Sequence, residues 1–393
     1  MVPYILLTVL VLTVSAGFFE SRKHLKNLKK INLRIHVNGT RGKSSVTRLI
    51  AAGLNAGGIK TFAKTTGTVP RVITDKGEEF PVYRPSGANI IEQLRIVNFA
   101  SRNGAQALVV ECMALQPIYQ SLCELKLIQS TIGVITNARA DHLDVMGPDE
   151  KSVAMALLGT TPVKGALFTC EEDYVELFKS AALDRGSELN IIDSSISASI
   201  KDEWMEGFSY IEHKENVALA LAVCEKAGVN PETAIKGMHK VLPDAGAMSE
   251  NTVEWYGRKL IFVNGFAAND PESTEKIWNM ALDRHGENVL KIMIINCRSD
   301  RPERSDQIGH AIVSWVKADY YIAVGTGTYI FLRAAIHSGI SHSKIIDMEN
   351  EDAARIFEKS VELTKGETLI MGVCNIKGAG LDLVKYFANR SWK

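Results

Sequence analysis

The feature that most constrains this chain is the run Leu33-Arg34-Ile35-His36-Val37-Asn38-Gly39-Thr40-Arg41-Gly42-Lys43-Ser44-Ser45. A short apolar stretch with β-branched residues predicts a strand, and Gly39 and Gly42 predict a tight turn. Val46-Thr47-Arg48-Leu49-Ile50-Ala51-Ala52 then takes up a helical pattern. Strand, glycine turn and helix in that order make a phosphate-binding loop. Glycine lets the backbone bend its N–H groups around an anion, and the following helix presents its positive end to the same point. Lys43 supplies a point charge for the β- and γ-phosphates, and the Ser44 hydroxyl suits a Mg²⁺ ion. The expected ligand is a nucleoside triphosphate bound by Gly39, Thr40, Arg41, Gly42, Lys43, Ser44 and Ser45. The generic loop pattern places a glycine where this chain has Val37.

At 393 residues the chain exceeds the size at which a single core stops growing, so two or three domains are expected. Its 45 basic and 45 acidic residues cancel, which gives no global field for a nucleic-acid partner. Cys112, Cys123, Cys170, Cys224, Cys297 and Cys374 form no C-x-x-C pair, as expected of a chain in a reducing compartment with no structural metal.

Residues 1–19 carry no charged side chain. As a helix they span roughly 28 Å, close to the thickness of a hydrocarbon core. Arg22, Lys23, Lys26, Lys29 and Lys30 follow directly, and no basic side chain precedes the apolar run. The positive-inside rule then reads a single-pass anchor with the rest of the chain in the cytoplasm. A cleaved signal peptide is the rival, with Val14-Ser15-Ala16 as its small-residue site, but its positive charge belongs before the apolar core.

Beyond the loop, short apolar runs alternate with helical patterns, the mark of a parallel sheet wrapped by helices. Gln106-Ala107-Leu108-Val109-Val110-Glu111 is a buried strand that ends in an acid. Ligands of open α/β sheets sit at the carboxyl ends of strands, so Glu111 is a candidate Mg²⁺ ligand, with a solvated strand-end glutamate as the alternative. After the strand Ser130–Thr136 come Asn137, Asp141, His142 and Asp144, able to hold a second metal or the acceptor. Lys164–Cys170 and Glu188–Asp193 read as further strands, and Ser194–Lys201 reads as a loop.

Val37, Gly39, Thr40, Gly42, Lys43, Ser44 and Ser45 match the form V-x-G-T-x-G-K-[ST]-[ST], which resembles the nucleotide loop of the Mur ligase superfamily. That superfamily includes the peptidoglycan amino-acid ligases and folylpolyglutamate synthase. Thr136-Asn137, Asp141-His142, Asp144 and Gly147 are similar to its T-N-x-x-x-D-H-x-D-x-x-G signature. The resemblance implies ATP and Mg²⁺ as cofactors, Ser44, Glu111 and His142 as metal ligands, and Lys43, Glu111 and His142 as catalytic residues. Asn216 resembles the asparagine of its H-x-x-N-x-x-A-A element, near the adenine, with a plain helix-capping asparagine as the alternative. Gly265–Ser273 looks like its D-Y-A-H-N-P turn and would bring Asn264, Asn269 and Asp270 towards the nucleotide.

Two features of the superfamily are missing. Ala156 stands near the position of its carbamylated lysine, and Leu242–Met248 lacks the arginine of its P-G-R-F-E element. Arg258, Arg298 and Arg301 are the candidates to supply that charge.

The fold class expected is α/β: a P-loop, Mur ligase-like central domain with a parallel sheet over residues 31–250, a second, smaller doubly wound α/β domain over 251–393, and one N-terminal transmembrane helix within an anchor and basic juxtamembrane segment over 1–30. An apolar anchor joined to these motifs resembles the ligase subunits of poly-γ-glutamate synthases. That likeness implies an ATP-dependent amide ligase acting on glutamate and a growing poly-γ-glutamate chain, with integral-membrane partner subunits and release of ADP and phosphate. A membrane-tethered P-loop ATPase or kinase, and a nucleotide-binding regulatory subunit without turnover, are the alternatives.

Overall fold

A strand that is apolar on both faces needs cover on both, which places it inside a sheet flanked by helices. The computed structural model describes residues 2–67, 70–84, 87–208, 210, 212–241, 248–266, 268, 270–286 and 289–391. The chain divides into two compact units, one of residues 1–209 with 213–242 and one of residues 210–212 with 243–393.

The strands of the first unit are β1 (Leu33–Asn38), β2 (Thr61–Lys64), β3 (Arg71–Ile73), β4 (Glu79–Pro81), β5 (Ala107–Glu111), β6 (Ile132–Ile135), β7 (Ala166–Thr169) and β8 (Glu188–Ile191). They form one sheet in the order β4-β3-β2-β5-β1-β6-β7-β8. Neighbours are parallel from β2 through to β8, and β3 and β4 add an antiparallel edge. The chain leaves β1 for β2 on one side and later crosses from β5 to β6 on the other. Connections therefore reverse beside β1, and the crevice such a reversal opens lies at the carboxyl ends of these strands.

Helix Lys43–Ala56 follows β1 and buries Val46, Leu49, Ile50 and Leu54, the spacing of one helical face. Helices Lys214–Lys226 and Pro231–Met238 press closely on it: a Cβ at Gly53 would stand 2.7 Å from Cys224 Sγ, and one at Gly237 2.5 Å from the Ala52 carbonyl oxygen. The loop expected over Ser194–Lys201 is corrected here. It contains the short helix Ser194–Ala198, because Asp193 accepts from the Ile196 N–H at 2.9 Å and caps a serine-rich turn that sequence alone reads as irregular.

The apolar N-terminus forms one unbroken helix, Val2–Leu28. Its large side chains from Tyr4 to Phe19 are exposed, whereas Leu28 and the following Ile31 are buried in the first unit. Polar contacts fix the docked end: His24 Nε2 lies 2.9 Å from the Leu127 carbonyl, and Asn27 bonds Asn98 at 3.2 Å and Ser101 at 3.3 Å. Within this segment, Tyr4–Leu28 is long and apolar enough to cross a membrane.

The second unit holds β9 (Ser249–Trp255), β10 (Arg258–Asn264), β11 (Leu290–Cys297), β12 (Tyr320–Gly325), β13 (Ile345–Glu349) and β14 (Glu367–Val373), ordered β13-β12-β11-β14-β10-β9. Only β9 runs antiparallel to its neighbour. Trp278, Ile308 and Phe331 fill one side of the sheet. Phe262, Phe266, Phe357 and Phe387 fill the other, with the Phe262 and Phe387 rings stacked 4.1 Å apart.

Candidate active site

The loop after β1 is shaped by what it packs on. Gly39 adopts φ +130°, and a Cβ there would fall 2.0 Å from Thr136 Oγ1. Gly42 adopts φ +80°, and a Cβ there would meet Asn216 Oδ1 at 2.6 Å. Each position combines left-handed backbone with close approach, so glycine is required at both. Val37 occupies no part of this turn. It is the fully buried fifth residue of β1, in register with Glu111, which explains why a glycine is not needed there.

Glu111 ends β5 and is only 2 % exposed. Its Oε2 accepts from Ser44 Oγ at 2.9 Å and from the Thr66 N–H at 2.7 Å. The helix-start hydroxyl and the strand-tip carboxylate thus converge on one point. Lys43 Nζ reaches back over the loop to the carbonyl oxygens of Gly39 and Thr40, the second at 3.2 Å.

Asn137 braces the loop from the next strand. Its Oδ1 accepts from Thr40 Oγ1 (2.6 Å) and the Arg41 N–H (3.0 Å), while its Nδ2 donates to the Arg41 carbonyl at 3.3 Å. Thr136 Oγ1 donates to the same carbonyl at 2.5 Å. Arg41 Nη1 lies 3.2 Å from Asp141 Oδ2, which ties the D-H-x-D segment to the loop. His142 sits beside Asp141, 3.9 Å from Nε2 to Oδ1, with φ +49° at the start of the short helix Leu143–Met146. Asp144 in that helix is exposed. Asn216 is the third residue of helix Lys214–Lys226, whose N-cap is His213, so it abuts Gly42 without being the cap.

Among the described residues no three His, Cys, Asp or Glu side chains converge on one point. Two hard oxygen donors, from Ser44 and Glu111, do meet. That set fits a small divalent cation that fills its shell with phosphate oxygens and water, and it does not fit an all-protein cage.

Behind the loop, His36 on β1 is fully buried and bonds Glu124 Oε2 through Nδ1 at 2.8 Å. Burial alone would lower its pKa, but its interactions with Cys112 and Glu124 outweigh that and raise it to about 10. Glu124 also accepts from the Ser130 N–H (2.8 Å) and Ser130 Oγ (2.9 Å).

In the second unit Asn264 is buried at the end of β10. Asp270 caps helix Pro271–His285 by accepting from the Ser273 N–H at 2.8 Å. Arg298 forks onto Asp300 at 2.9 and 2.5 Å, Arg301 opens helix Pro302–Ala311, and Arg258 donates to the Val361 carbonyl at 2.5 Å. Asn269 and residues 242–247, counterpart of the P-G-R-F-E element, lie outside the described residues.

Residues 37–242 match the Mur ligase middle domain, and residues 251–390 match the poly-gamma-glutamate synthase CapB C-terminal domain. The chain is 40% identical over 372 residues to the capsule biosynthesis protein CapB of Bacillus anthracis, covering 94% of this chain and 79% of that one. It is 38% identical over 371 residues to the PGA synthase CapB of Bacillus subtilis (strain 168), covering 94% and 93%. The chain belongs to the CapB family. Its fold is also that of a bifunctional folylpolyglutamate synthase/dihydrofolate synthase from Yersinia pestis solved with AMPPNP and Mn ion, at a TM-score of 0.68 and 13% identity over 93% of this chain and 91% of that one. A CapB-family chain on a Mur ligase middle domain is an ATP-dependent amide ligase.

Three residues of this site carry no signature in the sequence. Thr66 and Gln93 bond to Glu111, and the charge of Lys64 acts on it, only because β2 and the helix Glu92–Arg102 flank β5. The one available hint is Lys64-Thr65-Thr66-Gly67, a polar, glycine-bearing turn directly after an apolar run.

Proposed function

We propose that the chain lengthens poly-γ-glutamate by one glutamate per ATP consumed. The observation that carries this reading is the meeting of Ser44 and Thr66 on Glu111 Oε2 beside the Gly39–Ser45 loop, in a chain of the CapB family. A carboxylate and an amine do not condense in water, because a carboxylate is a poor electrophile. The γ-carboxylate of the acceptor attacks the terminal phosphorus of ATP, the β–γ bridging bond breaks, and ADP leaves with an acyl phosphate formed. The amine of the incoming glutamate then attacks the acyl carbon, loses a proton and expels phosphate.

The chain's own groups divide this work. The backbone N–H groups of residues 39–45 cradle the phosphates, and Lys43 leaves its loop carbonyls for the transferring group. Ser44 and Glu111 would hold Mg²⁺, which would neutralise charge on the phosphate oxygens. Asn216, which abuts Gly42, is placed to contact the nucleotide, and Arg41 with Asn137 and Asp141 keeps the loop in shape. His142 is a further metal or phosphate contact, while Asp144 serves the substrate. Helix Val2–Leu28 anchors the chain in the cell membrane with both units on the cytoplasmic side, and integral-membrane subunits of the synthase receive the polymer.

The experiment supplies membranes carrying the full chain with ATP, Mg²⁺ and glutamate, with and without hydroxylamine. Glutamyl hydroxamate and ADP are expected, and Lys43→Ala should abolish both. Release of AMP, or ADP without any hydroxamate or amide, would overturn the reading.

A further inference from the structure

Two cations in the first unit converge on a single carboxylate next to Glu111. Lys64, the last residue of β2, is 1 % exposed; its Nζ lies 3.1 Å from Glu92 Oε2 and 3.8 Å from the Met113 thioether. Arg84 grips the same carboxylate side-on, Nε to Oε1 at 2.6 Å and Nη2 to Oε2 at 3.1 Å. The adjacent Gln93 donates to the Glu111 carbonyl oxygen at 3.4 Å, so the cluster abuts the tip of β5.

Two positive groups share one negative group, which leaves the cluster a formal charge of +1. Sealing an ammonium group away from water is costly, and an aliphatic side chain could fill the same space. Burial holds the Lys64 ammonium below its usual range, while the two cations outweigh burial and hold the Glu92 carboxyl below the usual range of glutamate. Lys64 cannot itself meet a ligand. Arg84 can: its side chain keeps 19 % exposure, and its bonds to Glu92 run through Nε and Nη2, leaving the Nη1 edge for a ligand.

We infer that Arg84, locked in place by Glu92 and Lys64, binds the α-carboxylate of the acceptor's terminal glutamate and thereby selects its γ-carboxylate for activation. The choice of ligand rests on the ligase reading above. In a γ-linked chain each residue keeps a free α-carboxylate, so the terminal residue offers two carboxylates of similar reactivity. A planar guanidinium matches a carboxylate in two parallel hydrogen bonds, and a pre-oriented one does so with little loss of side-chain freedom. With the α-carboxylate so held, the γ-carboxylate is the one left to react. Arg84 is thus a specificity residue; Lys64 and Glu92 are positioning residues.

The test compares a short γ-glutamyl oligomer with the same oligomer esterified at its terminal α-carboxylate. With the full chain, Arg84→Gln should raise KM for the free acid about tenfold or more, move KM for the ester little and leave KM for ATP unchanged. Equal losses with acid and ester, or a raised KM for ATP, would mean a structural role and overturn the inference. Equilibrium binding of the free-acid oligomer to the full chain carrying Lys43→Ala needs no turnover. There, adding Arg84→Gln should weaken binding by a similar factor, and unchanged binding overturns the inference. If that binding depends on Arg84 while the native chain forms no ADP with the oligomer, the ligase reading falls and the carboxylate subsite stands.

Discussion

Ser44 Oγ donates to Glu111 Oε2 across 2.9 Å, joining the first turn of one helix to the tip of the strand that pairs with β1. The hydroxyl needs only an acceptor, but a divalent cation needs the negative charge. Glu111→Gln keeps an oxygen for Ser44 and for the Thr66 N–H, so the loop should hold its shape and the melting temperature should move little. ATP turnover should fall by roughly 10²-fold or more, with part of the loss recovered at high Mg²⁺. ADP release across a Mg²⁺ titration measures both effects.

Gly42→Ala tests the loop itself. The left-handed backbone at this residue costs an alanine about 1–2 kcal/mol, and its methyl group would press on Asn216 Oδ1. Stability of the first unit and nucleotide affinity should both fall. Adding Asn216→Ala removes the clash and leaves the strain, so chemical denaturation of the double variant should show part of the stability regained, while nucleotide binding stays weak.

How far this site can be read from sequence depends on how local each piece is. The loop Gly39–Ser45 is legible because glycine, lysine and hydroxyl act through a single turn of backbone, and Glu111 is legible because an acid that ends an apolar strand has few places to go. The parallel sheets are legible for the same reason, from apolar runs of strand length. Strands β3 and β4 are three residues each and half exposed, too short to leave a pattern. Asn137 illustrates a harder case: its place after a strand suggests a substrate contact, yet its amide is spent on Thr40 and Arg41. Lys64, Arg84 and Glu92 were illegible because their pairing is set by the β2–β5 register and by a loop that returns to the helix Glu92–Arg102.

The buried His36–Glu124 pair gives the first unit a pH dependence of definite sign. The folded-state pKa of His36, about 10, stands above the value of 6.5 for a free imidazole, so the folded state holds the proton more tightly. Its contribution is fully present below pH 6.5 and is lost as pH rises through about 10. Glu124→Gln should cost about 3–5 kcal/mol, the usual result of stripping one partner from a buried pair, and should flatten the decline in stability above pH 6.5. Urea titrations of both chains at a series of pH values measure it. A native chain equally stable from pH 6.5 to 10 would refute the assignment of charge to this pair.

The N-terminal helix separates two roles along its length, and deletion can divide them. Residues 4–19 present apolar side chains outward, whereas His24, Asn27, Leu28 and Ile31 make the contacts with the first unit. Removing residues 2–19 should therefore move the protein from the membrane to the soluble fraction in a flotation assay and leave the melting temperature of the first unit nearly unchanged. Leu28→Asp should do the reverse. The apolar segment stays intact, so the protein still floats with membranes, but a carboxylate in a site with 2 % exposure should destabilise the unit by about 2–5 kcal/mol. The unbroken helix also makes the apolar segment a stiff extension of the unit that carries the nucleotide loop. Inserting a Gly-Gly pair after Glu20 should thus leave flotation and stability alone and loosen the hold on orientation, read as faster tumbling of a spin label on the exposed face of the unit relative to the bilayer.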